Sequence, residues 1–184
     1  MRVFGIDPGS QCTGYGCVDS DGRRLQLVLC GAVRAGMAET FPEQLSLIYR
    51  ELSAHIAAQR PDFVVIESIF HAVNARSALK LGHARGVAML AATEAGITVI
   101  EYTPAEIKRA VVGYGRAEKA QVGQMVKLLL GLDAVPTPHD AADALAVAIC
   151  HLHAGKGTPK GRSATRGTKA ATSWRHYKPG QVAR

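Results

Sequence analysis

A chain of 184 residues, 47% hydrophobic and 20% charged, fits a soluble globular protein with one well-buried domain of roughly 150 residues and a tail. No apolar run approaches the roughly 18 residues of a membrane span, and no basic segment leading into a long apolar one opens the chain, so a cytoplasmic protein without membrane attachment is expected. The net charge of +7 is unevenly placed: residues 154–184 hold eight basic residues and no acid, against 14 basic and 15 acidic before them. In chain order, RVFGIDP, TGYGCVDS and RLQLVLCGAVR read as strands of a meander, with a turn at Asp21-Gly22 before the third. PEQLSLIYRELSAHIAAQR has apolar residues at helical spacing; it starts on Pro42, tolerated in a first helical turn, and Pro61 ends it. FVVIE is the fourth strand. A long helix follows from about Asn74 to Glu94, where Gly82 and Gly86 permit close packing or a bend. ITVIEY is the fifth strand. TPAEIKRAVVG and AEKAQVGQMVKLLLG are helices separated by Gly113-Tyr114-Gly115-Arg116, and DAADALAVAICHLH is the last helix.

Three antiparallel strands followed by alternating helices and strands predict an α/β domain over residues 1–153, a mixed five-stranded sheet with helices on both faces. Residues 154–184 are rich in Gly, Ser, Thr and Pro and are expected to be disordered. Basic arms of this kind bind polyanions without specificity, in a salt-dependent way; a solubilising tail is the plainer reading. Cys12, Cys17, Cys30 and Cys150 follow no zinc or redox spacing and are read as reduced and mostly buried. Cys150, His151 and His153 crowd together, but on a helix they turn to different faces and make a poor zinc set.

Four acids stand at the edges of apolar elements. Asp7 closes VFGID and Glu67 closes FVVIE. Both runs read as strands buried on two faces, and ligand sites in open α/β sheets lie beyond strand carboxyl ends. Asp140 and Asp143 share one face at the start of the last helix, leaving Leu145, Ile149 and Leu152 to pack it on the sheet. Singly, each acid reads as a helix cap, a first-turn acid or a turn residue. Together they predict convergent carboxylates whose repulsion a hard divalent ion, Mg2+ or Mn2+, would relieve.

GIDPGSQCTGYG (5–16), VIESIF (65–70), NARSALKLGHARGVAML (74–90), VVGYGRAEKAQV (111–122) and HDAADALAVAI (139–149) stand in an order that resembles the RuvC family of Holliday-junction endonucleases, of the ribonuclease H-like superfamily. The resemblance implies that Asp7, Glu67, Asp140 and Asp143 bind two Mg2+ ions per subunit, with Mn2+ able to substitute, and cut the DNA backbone. Two metals about 4 Å apart serve both ends of an in-line displacement. Asp7, on the central strand, is the expected bridging carboxylate. Some relatives carry histidine where Asp140 stands; here His139 precedes it and is left an assisting role.

The same resemblance makes Phe70 a stacking platform for an unpaired base. It sets Lys108 and Lys119 near the scissile phosphate, Lys119 with a catalytic role. Arg76, Lys80 and Arg85 are expected to position phosphates without reading sequence. Each also has an ordinary reading, Phe70 as core and the cations as solvated helix residues. A four-way junction has approximate two-fold symmetry, so a homodimer with one site per subunit is implied. The helix around Ala78, Leu79, Val87, Met89 and Leu90 is either that interface or intramolecular core. A branch-migration motor and its junction-binding partner complete the implied partners. Competing readings are an RNA-DNA hybrid hydrolase with the same metal site and a junction-binding module whose acids are structural. DPGSQCTG also resembles the phosphate loop of actin-like and sugar-kinase ATPases, but those need roughly twice this length and a Gly-Gly motif that does not appear.

Overall fold

The alternation of side chains along each strand decides which layer every residue enters. The computed structural model describes residues 1–68 and 74–154. Its elements are β1 (Arg2–Asp7), β2 (Thr13–Ser20), β3 (Leu25–Val33), a 3-10 turn (Ala35–Met37), α1 (Phe41–Gln59), β4 (Phe63–Glu67), α2 (Ala75–Glu94), β5 (Thr98–Tyr102), α3 (Pro104–Val112), α4 (Lys119–Leu130) and α5 (His139–Ala154). The sheet order is β3-β2-β1-β4-β5, antiparallel through the meander and parallel from β1 to β5. This is the mixed five-stranded sheet that the chain order predicts. The first helix begins at Phe41 because Thr40 caps it: its hydroxyl accepts from the Glu43 N–H, and the Glu43 carboxylate accepts from the Thr40 N–H.

One sheet face, with Phe4, Ile6, Val64 and Ile66, packs on Ile48, Leu52 and Ile56 of α1 and on Ala84, Ala88 and Ala92 of α2. The other, with Val3, Val18 and Val65, packs on Leu145 and Ile149 of α5 and on Ile107 and Val126 of α3 and α4. Ile6 and Ile66 are paired in register and belong to the first face. Asp7 and Glu67, one step further along each strand, therefore turn to the α5 face together.

Glycines let α5 lie directly on β1 and β2. A Cβ on Gly5 would overlap the carbonyl oxygen of Ala144, and one on Gly14 would overlap that of Asp140. Gly14 is also the partner of Asp7 across the β1–β2 ladder. The first turn of α5 is thereby held beside the end of β1.

The surface of α2 divides the residues proposed for its two alternative roles. Val87 and Met89 pack partly against the first core, whereas Ala78, Leu79 and Leu90 face out, Leu79 at 65% and Leu90 at 48% exposure. All four cysteines are free thiols, Cys17 and Cys150 buried and Cys12 and Cys30 half-buried. No described helix is long and apolar enough to cross a membrane. Residues 69–73, with Phe70, and residues 155–184, nearly all of the basic arm, lie outside the described residues.

Gly14→Ala should destabilise the fold by about 1–3 kcal/mol, since the added methyl must displace the α5 backbone. Gly82→Ala, in a helix with open space around it, should be neutral or stabilising by up to about 1 kcal/mol. Denaturant unfolding of both variants checks the pair.

Candidate active site

The loop after β1 is closed by its own threonine. Thr13 is fully buried; its hydroxyl donates to the Gly9 carbonyl at 2.7 Å and accepts from the Gly9 N–H at 3.3 Å. This turn brings β2 back beside Asp7. On the other side, β4 pairs with β1 so that Glu67 stands next to Asp7. The two half-buried acids interact as a pair, in a sense that favours the proton on Asp7 over Glu67. Burial, then the charges of Glu67 and Asp143, push Asp7 up to about 8, against the opposing pull of Lys119. Burial also raises Glu67, while its bond from Asp7 and the charges of Lys119 and Lys108 oppose the rise.

The two acids of α5 have different partners. Asp143 Oδ2 accepts from Lys119 Nζ at 2.8 Å, a bond that raises the lysine above its ordinary value. Asp140 is hydrogen-bonded to the Cys12 thiol, which burial first and Asp140 second push up to about 11. The quartet therefore reaches one end of the sheet in three pairings: Asp7 with Glu67, Asp143 with Lys119, Asp140 with Cys12. Among the described residues no three His, Cys, Asp or Glu side chains converge closely enough to form a ready metal site. The expected single cluster is thus only partly assembled. Carboxylates this close repel one another, and a proton on Asp7, an ammonium and a thiol now take up that charge.

Of the cations singled out in the sequence, Lys108 and Lys119 do come to the acids. With Glu67 and Asp143 they rim a cavity of about 50 Å3, backed by Ile107, Val122 and Val147. Lys119 starts α4, where Gln121 Oε1 accepts from the Glu118 N–H. Arg76 is exposed in the first turn of α2, and Lys80 lies over the Phe41 ring, 5.3 Å from its centroid. Arg85 is already engaged, at 2.6 Å from Glu101 on β5, and is only 26% exposed. His139 is exposed at the start of α5, and His151 and His153 have separate partners, the Tyr102 hydroxyl and the Ala110 carbonyl. A cavity of about 940 Å3, a polar groove around the Arg2–Asp19 ion pair, lies at the opposite end of the sheet and contains none of these acids. Cys12, expected only as a reduced thiol, and Thr13 prove to be neighbours of the acids. Their signal was their place in DPGSQCTG, between the first acid and the second strand.

Acids closing two adjacent parallel strands, faced by acids on a helix that crosses a β3-β2-β1-β4-β5 sheet, define a ribonuclease H-like protein. The family model of crossover junction endodeoxyribonuclease RuvC matches residues 3–151, and the chain belongs to that family of Holliday junction resolvases. RuvC of Koribacter versatilis is 56% identical over 154 residues, 83% of this chain and 93% of that protein. The structure of Thermus thermophilus RuvC matches with a TM-score of 0.78 at 34% identity, over 85% of this chain and 96% of that one. The same protein in complex with a Holliday junction substrate matches with a TM-score of 0.78 at 32% identity, with the same coverage.

A carboxyl raised by folding from 3.8 to about 8 leaves stability intact below its unfolded value and costs stability as pH climbs through the folded one. Asp7→Asn should therefore match the parent near pH 4 in metal-free buffer. It should become more stable by about 1–3 kcal/mol as pH rises to 8, with the gap constant above that. Unfolding midpoints across pH measure it; a gap that does not widen with pH would contradict the proton on Asp7.

Proposed function

We propose that this chain is a metal-dependent, structure-selective endodeoxyribonuclease that resolves four-way DNA junctions. As a homodimer it would present one acidic site to each of two strands of like polarity and hydrolyse one phosphodiester in each. The observation that carries this reading is the half-buried Asp7–Glu67 pair, with Asp143 and Lys119 beside it at one end of the sheet. The Holliday junction bound by Thermus thermophilus RuvC supports the choice of substrate.

The donor set fits a hard divalent ion, Mg2+ or Mn2+, because it consists of carboxylate oxygens whose burial and mutual repulsion raise their proton affinity. Asp7, Glu67, Asp140 and Asp143 would hold two such ions, with Asp140 leaving its Cys12 partner. Bound there, the ions supply an activated water and stabilise the leaving oxygen. The chain's own side chains do the rest. Lys119 offers a positive charge to the phosphoryl oxygens as their charge grows, and Lys108 holds the backbone beside Glu67. Phe70, three residues beyond Glu67, offers a stacking surface for an unpaired base. Arg76 and Lys80 meet flanking phosphates, while Arg85 acts mainly through its ion pair with Glu101, which ties α2 to β5.

The outward face of α2, with Leu79 and Leu90 beside the open glycines Gly82 and Gly86, supports α2 as the dimer contact. The basic arm of residues 154–184 adds salt-dependent attraction to the polyanion. A branch-migration motor with its junction-binding partner would deliver the junction.

Incubation with an immobile four-way junction and Mg2+, with both nicks mapped at nucleotide resolution, should give paired symmetric cuts. Asp7→Asn should bind the same junction and leave it whole. Preferential cutting of an RNA-DNA hybrid would reassign the substrate, and no cleavage at any Mg2+ or Mn2+ concentration would reduce the chain to a binding module.

A further inference from the structure

The parity that brings Asp7 and Glu67 to one face extends across the other half of the sheet. Gly14 pairs with Asp7 on one side and with Ala32 on the other. Val33 and Ala35 are buried in the core shared with α1 and α2. Cys30 packs into the opposite core, against α5. Arg34, between Val33 and Ala35, therefore leaves on the face that carries Asp7, Glu67 and the start of α5.

Arg34 is exposed, and no salt bridge among the described residues engages it. Its backbone is held firmly. Thr13 pairs with Val33, and the Gly36 N–H donates to the Gln11 carbonyl at 2.7 Å, tying the 3-10 turn to the loop that follows Asp7. The charge of Arg34 reaches the Cys12 thiol, which is bonded to Asp140. Two strand spacings, roughly 10 Å, separate β3 from β1, and an extended arginine side chain reaches back over much of that span. Lys108 and Lys119 stand on the other flank, beside Glu67 and Asp143. The acidic site is thus bracketed by cations, lysines toward β4 and an unpaired arginine toward β3. A nucleic acid strand with one phosphate at the acids has neighbouring phosphates on both flanks.

We propose that Arg34 is a further phosphate-binding residue, which grips the backbone of the cleaved strand on the flank opposite Lys108 and Lys119. The role rests on the nuclease reading. A guanidinium is suited to it because its planar fork can donate two parallel hydrogen bonds to one phosphodiester and stays charged at every working pH.

The test uses the full chain, its Arg34→Gln and Arg34→Lys variants, and a labelled four-way junction titrated in metal-free buffer over a range of salt. Arg34→Gln should bind about tenfold more weakly, to the same extent for junctions of different sequence. Its plot of log affinity against log salt should be shallower by about 1, as for one lost phosphate contact. Arg34→Lys should restore the slope and only part of the affinity. In cleavage with Mg2+, the loss should fall on KM rather than kcat. Unchanged affinity and slope in Arg34→Gln would overturn the proposal. So would a loss that Arg34→Lys shares in full together with a lowered melting temperature, since that marks a structural role. A parent chain that neither binds nor cuts the junction would sink the nuclease reading itself, whereas a parent that does both while Arg34→Gln equals it sinks only the role of Arg34.

Discussion

The close approach of α5 to the first two strands is the constraint on which the rest of the site depends. A helix normally rides on a sheet with side chains as spacers, but opposite Gly5 and Gly14 the backbone of α5 itself fills that space. The helix contributes Ala144 and Ala148 to the contact at Gly5, both fully buried, so neither partner holds the other off. The consequence is chemical. With α5 pressed onto β1 and β2, Asp143 comes close enough to raise the proton affinity of both Asp7 and Glu67, and Asp140 meets the loop at Cys12.

That proximity makes an electrostatic conflict, which the fold resolves locally. Three carboxyls near one another in a half-buried setting cannot all stay ionised without compensation. A proton held on Asp7 beside Glu67 answers part of the conflict, and the ammonium of Lys119 on Asp143 answers another part. Each compensation is easily exchanged. Lys119 remains 79% exposed at the start of α4, so its side chain can turn from Asp143 to another anion at small cost. A site that holds its charges in replaceable partnerships is suited to receive a cation and a phosphate without unfolding anything around it.

The positive groups are arranged with the same economy. Arg85 of α2 forms an ion pair with Glu101 of β5. Lys80 rests on Phe41. Lys108 and Lys119 stand beside Glu67 and Asp143, two cations drawn from α3 and α4, while the charge of Arg34, after β3, reaches Cys12.

Much of the architecture was legible in the sequence because its causes are local. Apolar runs of strand length, the turn at Asp21-Gly22, the prolines near helix starts and the acids closing VFGID and FVVIE all act within a few residues, and they determined the order of elements, the mixed sheet and which end of it is acidic. Alternation turns Asp7 and Glu67 to one face only because Ile6 and Ile66 are paired in register. The division of labour among the acids was not legible. That Asp140 meets Cys12 while Asp143 meets Lys119, and that Arg85 pairs with Glu101, are decided by contacts between residues far apart in the chain. Only the tertiary structure sets those contacts, because they depend on strand register and on how closely one helix can approach the sheet.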